Sequence, residues 1–321
     1  MNKILSNKKT IAIFVLPTLL IYLFVAIVPL FITSYYSFFD YKGLAGLNPT
    51  EDFIGLANYV RMFTNDPAFF LSMKNTLILI VGSLFIQLPF AFLLANTLAK
   101  GVFGEKAFRT IYFIPVVISA TVIGKLFFFI FSSNYGMLNS VVRILAEGIV
   151  NLLGESSGIG MWIMKNDLLK FNFNWMTNEK TAFYTIAIAA IWQYIGYHML
   201  IMYAGIKSIS TDYYEAAMID GATGAKATWH ITIPLISPVI KTCVILATVG
   251  SVQTYDIVVS MAGSYGISGT QVPAVLLWRS LFREHDFGYG SAQAFLLVVI
   301  CLSLSYAITK LFKRAEDNAS L

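Results

Sequence analysis

Charged residues are scarce in this chain. Only 12% of its 321 residues are Asp, Glu, Lys or Arg, while 57% are hydrophobic and the mean hydropathy is +0.72. A soluble domain carries roughly 25% charged residues, so the deficit excludes a soluble globular protein and indicates one surrounded mostly by lipid. The apolar runs are about 20 residues long rather than alternating segments of about 10, which favours a bundle of membrane-spanning helices over a β-barrel. We therefore predict an all-α membrane protein.

Cysteine and histidine are also rare. The two cysteines, Cys243 and Cys301, fall inside apolar runs, where we expect small buried hydrophobic side chains and no disulfide. His198 stands alone, so we expect a packed or hydrogen-bonded side chain rather than a metal ligand. The apolar segments hold no cluster of His, Asp or Glu, which argues against a membrane-embedded enzyme. An ion-coupled transporter would need buried carboxylates, and only Asp256 is a candidate.

Phosphate-binding and nucleic-acid-binding signals are missing too. Residues 221–226 read GATGAK, which lacks the G-x-x-x-x-G-K-[ST] spacing of a phosphate loop, so we expect no ATP site in this chain. The net charge of +5 comes from basic residues at the ends of apolar segments, as in membrane proteins generally. We therefore expect lipid, and no nucleic acid, around it.

Six membrane spans can be placed by length and flanking charge within one domain, residues 1–321. They cover residues 10–32, 72–98, 108–131, 182–206, 239–261 and 290–311. The excess of Lys and Arg in the termini and in the short loop after residue 98 predicts that both termini are cytoplasmic. In the second span, we expect Gln87 to satisfy backbone groups freed by Pro89. Within the outer loop 132–180, the amphipathic stretch Met137–Leu153 predicts a helix at the interface, with or without an outside partner.

A polar island lies in the cytoplasmic loop 207–238. Residues 214–222 read YEAAMIDGA, and residues 231–234 read ITIP. Ser210 or Thr211 can cap a short helix that Gly221 ends. A second short helix would then begin near Gly224 and end at the prolines. An exposed carboxylate such as Glu215 among small residues suits contact with an arginine of another protein.

This island resembles the EAA loop of permease subunits in binding-protein-dependent ABC importers, whose pattern is E-A-A-x-x-D-G-A followed by I-x-L-P. Other segments are similar to the carbohydrate-type permeases of that family: residues 108–115 (FRTIYFIP), 135–139 (YGMLN), 192–196 (WQYIG), 255–256 (YD) and 286–292 (DFGYGSA). The chain departs from the family at residues 260–264 (SMAGS), where T-x-G-G-P is common. The departure puts the conformation of that outer loop in question.

The resemblance implies a type I importer permease in a bacterial or archaeal plasma membrane. It implies a second, related permease, two ATPase subunits that use ATP and Mg²⁺, and an extracytoplasmic solute-binding protein. The residues that would contact the ATPase are Glu215, Ala216, Ala217, Asp220 and Gly221.

Polar residues of the fourth and fifth spans are the candidate substrate contacts. Tyr194 and Tyr197 share a helix face with Gln193 beside it, and Ser251 and Thr254 are likewise three apart. Aromatic faces with hydroxyl and amide groups suit a carbohydrate, and the resemblance places these segments at the central cavity. Helix–helix packing is an equal alternative for any one of them. Glycerol phosphate or a polyol ester is the alternative substrate class.

Overall fold

The computed structural model describes residues 8–43, 52–133, 136–263, 267 and 269–319. Tyr135 and Ser264 of the motifs above, and both extreme termini, lie outside these residues. Helices make up most of this part of the chain, which contains isolated β-bridges and no strand. The α-helices are Lys8–Tyr22, Val28–Tyr36, Ala57–Thr64, Pro67–Gly82, Leu88–Ala99, Glu105–Val117, Ala120–Ile130, Met137–Leu153, Gly158–Lys165, Ala182–Lys207, Thr211–Ile219, Ala225–Ala227, Ile233–Leu235, Ser237–Val252, Asp256–Ala262, Pro273–Phe282 and Phe287–Ala319.

Four helices are long and apolar enough to cross a membrane. They are Ala12–Tyr36, Pro67–Ala99, Ala182–Lys207 and Phe287–Lys313, which we call the first, second, fourth and sixth spans. Two bent pairs bring the number to as many as six. We call Glu105–Val117 with Ala120–Ile130 the third span, and we call Ser237–Val252, which follows Ala225–Leu235 at the second bend, the fifth.

Both bent pairs depart from the straight segments that we predicted at 108–131 and 239–261. The third span turns by 96° at Ile118, and the Ser119 side chain caps the helix that follows by accepting from Thr121 N at 3.3 Å. The fifth span meets the preceding stretch Ala225–Leu235 at 73° and ends at Val252, and three residues separate it from the short helix Asp256–Ala262. Apolar residues continue on both sides of the break at Ile118, so hydropathy alone did not reveal it, whereas the polar residues 253–256 (QTYD) coincide with the end of the helix at Val252.

Three π-helical segments widen the helices, and each ends two residues before a proline. They are Leu23–Ile27 before Pro29, Ser83–Gln87 before Pro89 and Thr228–Thr232 before Pro234. Proline has no N–H and its ring collides with the carbonyl four residues earlier. A wider turn with i→i+5 bonds relieves that collision without ending the helix.

Contacts divide the chain into two compact units. One comprises residues 70–275 and 301–321, and its largest apolar core joins residues of the second to fourth spans with the helix Asp256–Ala262. The other comprises residues 1–69 and 276–300. The prediction of a single domain over residues 1–321 stays a prediction.

The unit formed by residues 1–69 and 276–300 is held by a polar clasp of Arg61, Asp66, Asp286 and Tyr289. Arg61 Nη1 donates to Asp286 Oδ2 at 2.7 Å and its guanidinium lies 4.1 Å from the Tyr289 ring centroid. Tyr289 Oη donates to Asp66 Oδ2 at 2.6 Å. Asp286 Oδ1 also accepts from Tyr289 N at 3.1 Å, which caps the sixth-span helix. Partial burial lowers the pKa of Arg61, but the bond to Asp286 outweighs it and the net pKa is raised.

We expect Asp286→Ala to destabilise the protein by about 2–3 kcal/mol and Asp286→Asn by about 1 kcal/mol. Asparagine keeps the capping oxygen and loses only the charge, whereas alanine loses both. Thermal unfolding of the purified protein in detergent measures the order. Asp40→Ala is the control, because its 2.8 Å ion pair with Lys42 is exposed and should contribute little. Equal midpoints for all three variants would show that the clasp does not stabilise this unit.

Candidate functional site

The polar island folds into two short helices joined by a turn at Gly221. Ser210 Oγ accepts from Asp212 N at 3.3 Å, so Ser210 is the cap of the helix Thr211–Ile219. At its other end, Gly221 N donates to Met218 O at 3.1 Å and Ala222 N donates to Ala217 O at 2.8 Å. These are the two bonds of a Schellman motif, which needs a left-handed residue, and Gly221 has φ of +73°. The second helical stretch runs Ala225–Leu235.

The island presents its carboxylates and several apolar side chains to the outside. Glu215, Ala216, Asp220 and Gly221 are exposed, and Ala217 is buried. Large apolar side chains nearby are also exposed: Tyr213, Met218, Ile219 and Trp229. No described residue forms an ion pair with Glu215. This surface combines a free charge with uncovered apolar area, as docking surfaces do.

Hydrogen bonds join the two short helices of the island to each other and to the second span. Tyr214 Oη lies 3.0 Å from Thr232 Oγ1, and Asn96 Nδ2 at the end of the second span donates to Thr228 Oγ1 at 3.4 Å. A cavity of about 390 Å³ separates the island from the ends of the second and fourth spans. A displacement of the island can therefore be transmitted through direct contacts to the second and fifth spans.

All five predicted substrate contacts line one cavity of about 290 Å³. Gln193, Tyr194 and Tyr197 come from the fourth span, while Ser251 and Thr254 come from the end of the fifth. The second span adds Ser83 and Gln87 to the wall, along with apolar side chains. Ala120 of the third span and residues 255–257, which follow the fifth, complete the wall, so the cavity lies among four spans within one compact unit.

The five side chains differ in what they offer a ligand. Ser251 Oγ donates to Ala247 O at 2.8 Å and Thr254 Oγ1 donates to Gly250 O at 2.9 Å, so both hydroxyl groups keep lone pairs as acceptors. Gln193 is buried, and its Oε1 has no partner among the described atoms. Tyr194 is 45% exposed and presents its ring to the cavity. The wall is thus rich in acceptors and aromatic surface.

The second-span contribution was not predicted. Gln87 does not satisfy the freed backbone: its Nε2 lies 2.8 Å from His198 Nδ1, and its Oε1 accepts from Ser83 Oγ at 3.2 Å. The π-helical turn already accommodates Pro89, which explains why the Gln87 side chain bonds to other side chains instead. The i, i+4 spacing of Ser83 and Gln87 was the signal available in the sequence.

The charge of the cavity is negative. Asp256 is the one charged residue among the described lining residues. Lys125, which could have neutralised it, instead lies with Nζ 5.9 Å from the Phe128 ring centroid, and no ion pair between Lys125 and Asp256 exists in the described chain. An anionic ligand would therefore find no countercharge on this wall.

Other motif residues pack the loop between the third and fourth spans and the contact between those spans. Asn139 is fully buried, donates to Ser133 O at 3.0 Å and Phe173 O at 3.1 Å, and accepts from Trp175 Nε1 at 2.8 Å. Gly196 lies directly against the backbone of Tyr112 in the third span. These positions of the 135–139 and 192–196 motifs therefore serve packing.

Comparison with known proteins agrees with this arrangement. The family described as "Binding-protein-dependent transport system inner membrane component" matches residues 87–317. A probable ABC transporter permease, YurN of Bacillus subtilis, is 30% identical over 98% of this chain and 99% of its own length. The trehalose/maltose transport system permease MalF of Thermococcus litoralis is 26% identical over 84% of this chain and 83% of its own.

A solved structure shares the fold. It is a bacterial alginate ABC transporter in complex with alginate pentasaccharide-bound periplasmic protein, and one of its chains superposes with a TM-score of 0.74 at 20% identity, covering 95% of this chain and 94% of that one. The helical architecture is therefore that of a type I importer permease. The chain belongs to the family of binding-protein-dependent transport system inner membrane components, the multi-pass permease subunits of ABC transporters.

Proposed function

We propose that this permease imports a carbohydrate, either an oligosaccharide or a sugar derivative, at the expense of ATP hydrolysed by partner subunits. The observation that carries the proposal is the cavity of about 290 Å³, where Gln193, Tyr194, Tyr197, Ser251 and Thr254 converge. Tyrosine rings can stack on the C–H faces of a sugar, and the amide and hydroxyl groups replace hydrogen bonds lost from water. The trehalose/maltose permease among the relatives supports the same substrate class.

Glycerol phosphate or a polyol ester is the weaker candidate. A phosphate group is bound by arginine, lysine or helix N-termini. The described lining of the cavity offers Asp256 instead of a cation. An ion-coupled sugar transporter is weaker still, because the chain belongs to a permease family of ABC transporters.

The assembly would contain a second, related permease, two ATPase subunits and an extracytoplasmic solute-binding protein. ATP and Mg²⁺ would be used by the ATPase subunits, with no cofactor in this chain. The island would seat on the ATPase through Glu215, Ala216, Ala217, Asp220 and Gly221, four of which are exposed. This contact requires the loop 207–238 to lie on the cytoplasmic side, and we place both termini on the same side. Residues 1–321 would act as one transmembrane domain.

ATP binding would then be coupled to transport by a shift in the populations of the cavity states. Closure of the ATPase subunits around ATP would move the two short helices together, because the turn at Gly221 is fixed by two backbone hydrogen bonds. The Tyr214–Thr232 and Asn96–Thr228 contacts would pass this displacement to the second and fifth spans, which carry Ser83, Gln87 and Ser251 on the cavity wall. ATP favours one cavity state because the island makes different contacts in each.

The cavity assignment is tested with the tyrosines. In proteoliposomes that contain the complete transporter and saturating binding protein, we expect Tyr194→Ala and Tyr197→Ala to lower the maximal uptake of sugar about 3- to 10-fold, the loss of one ring contact. Tyr184→Ala is the matched control, because Tyr184 is on the same helix and 53% exposed but does not line the cavity. If all three variants lose uptake equally, the cavity is not the substrate path.

A further inference from the structure

A chain of polar side chains crosses the wall of the substrate cavity and joins three spans. Ser251 Oγ of the fifth span lies 3.2 Å from Ser83 Oγ of the second. Ser83 Oγ lies 3.2 Å from Gln87 Oε1, and Gln87 Nε2 lies 2.8 Å from His198 Nδ1 of the fourth span. All four residues line the cavity, and each is at least nine-tenths buried. Intramembrane polar groups are costly and usually face a pathway.

The π-helical segment Ser83–Gln87 explains how the second span reaches this wall. Ser83 and Gln87 are its first and last residues, and a wider turn brings both onto the face that meets the fourth and fifth spans. Pro89, two residues later, imposes the wide turn. The local distortion therefore has a consequence for the cavity, since it places two polar side chains there.

His198 ends this chain with an unsatisfied nitrogen in either tautomer. If Nδ1 carries the proton, it donates to Tyr194 O at 3.0 Å and leaves Nε2 as an acceptor. If Nδ1 accepts from the Gln87 amide, Nε2 carries the proton and is a donor. Nε2 is buried without a partner in the described structure, as is Oε1 of Gln193 on the same cavity. A buried polar atom without a partner is destabilising until a ligand or water pairs with it.

We propose that His198 is a further substrate-binding residue and that Gln87 positions its ring, so that the site selects for sugar hydroxyl groups. A hydroxyl can donate and accept, so it satisfies Nε2 in either tautomer: it donates to an unprotonated Nε2, or it accepts from a protonated Nε2 and keeps its own proton for an acceptor such as Gln193 Oε1. The inference rests on the proposed function and deepens it by assigning this wall to hydroxyl recognition. The Tyr197 ring packs edge-on against the imidazole at 5.2 Å between centroids and also lines the cavity.

The test uses the complete reconstituted transporter and a defined panel of sugars. Maltose, trehalose, cellobiose and xylobiose are tried first, and the best wild-type substrate is then compared with its monodeoxy analogues. We expect His198→Leu to lower uptake of the parent sugar about 10-fold and to abolish the wild-type preference for the parent over at least one analogue. Gln87→Met should give a smaller loss with the same change of preference, because it removes the positioning bond and leaves the imidazole.

The outcomes are separable. Wild-type uptake of a panel sugar together with unchanged uptake and preference in His198→Leu would overturn this inference and leave the proposed function intact. Absence of uptake of every panel sugar by the wild-type complex would instead contradict the carbohydrate assignment and, with it, the inference. If His198→Leu fails to assemble, His198→Asn and Gln87→Met carry the test. Wild-type preference in both of those variants overturns the proposal.

Discussion

Gly221→Pro should abolish sugar-stimulated ATP hydrolysis and uptake, a loss of at least 100-fold. Gly221 has φ of +73°, whereas proline is fixed near −65°, so the turn between the two short helices cannot form. Proline also removes the N–H that donates to Met218 O. The second helix would then leave the first at a different angle. Since the proposed coupling requires the island to move as one body, its geometry should matter more than its stability.

Reversal of the charge at Glu215 tests the same surface without altering the backbone. We expect Glu215→Lys to lower stimulated activity about 10- to 100-fold, because the exposed carboxylate that we propose pairs with an arginine of the ATPase becomes a like charge. Glu147→Lys is the matched control, since Glu147 is also an exposed helical glutamate but lies far from the island in sequence.

The measurement is ATP hydrolysis and sugar uptake by the reconstituted complex, with and without binding protein. Gly221→Ala should fall between wild type and Gly221→Pro, because alanine tolerates positive φ at a cost of about 1 kcal/mol. Wild-type stimulation in both Gly221→Pro and Glu215→Lys would place the ATPase contact elsewhere. A loss of the same size in Glu147→Lys would indicate that charge reversal damages assembly rather than coupling.

The features that the sequence predicted well are local. The cap at Ser210 and the left-handed turn at Gly221 each depend on residues within five positions, so the pattern determines them almost completely. The helix Met137–Leu153 has the predicted bounds because its amphipathic period is uninterrupted. Convergence of the five candidate residues on one cavity followed from helical spacing combined with the family resemblance.

The features that were missed depend on residues distant in sequence or on irregular backbone, such as helix breaks and π-helical segments. Gln87 and His198 are 111 positions apart, and nothing near either residue specifies the other. The break at Ile118 occurs where apolar residues continue on both sides, so a hydropathy window passes over it; the break after Val252 coincides with the polar residues 253–256, which a wide window averages with their apolar neighbours. Prolines 29, 89 and 234 did mark irregular turns, but they do not distinguish a π-helical segment from a kink.

Gly196→Ala should destabilise the protein more than any other glycine-to-alanine change in the fourth span. A methyl group at Gly196 would overlap the carbonyl of Tyr112 and lie 3.0 Å from the backbone N of Phe113. Both neighbours are main-chain atoms of the third span, so neither can rotate away and the two helices must separate. Overpacking of this kind costs about 1–3 kcal/mol or more. We expect a lower thermal unfolding midpoint in detergent and less assembled complex in membranes.

Two other glycines complete the series. At Gly205 the added methyl group would meet the Val239 side chain at 3.0 Å, and that side chain can adjust, so Gly205→Ala should cost less. Gly148→Ala meets nothing within 4 Å and should be neutral or stabilising by up to about 1 kcal/mol, since alanine favours a helix. If the three midpoints do not rank in this order, close contact between the third and fourth spans is not what requires glycine at position 196.

The proposed substrate cavity depends on the contact between the third and fourth spans, because Gly196 lies one residue before Tyr197 and three after Gln193 on the same helix. Loss of uptake in Gly196→Ala should therefore accompany loss of stability, whereas Tyr194→Ala should lose uptake alone.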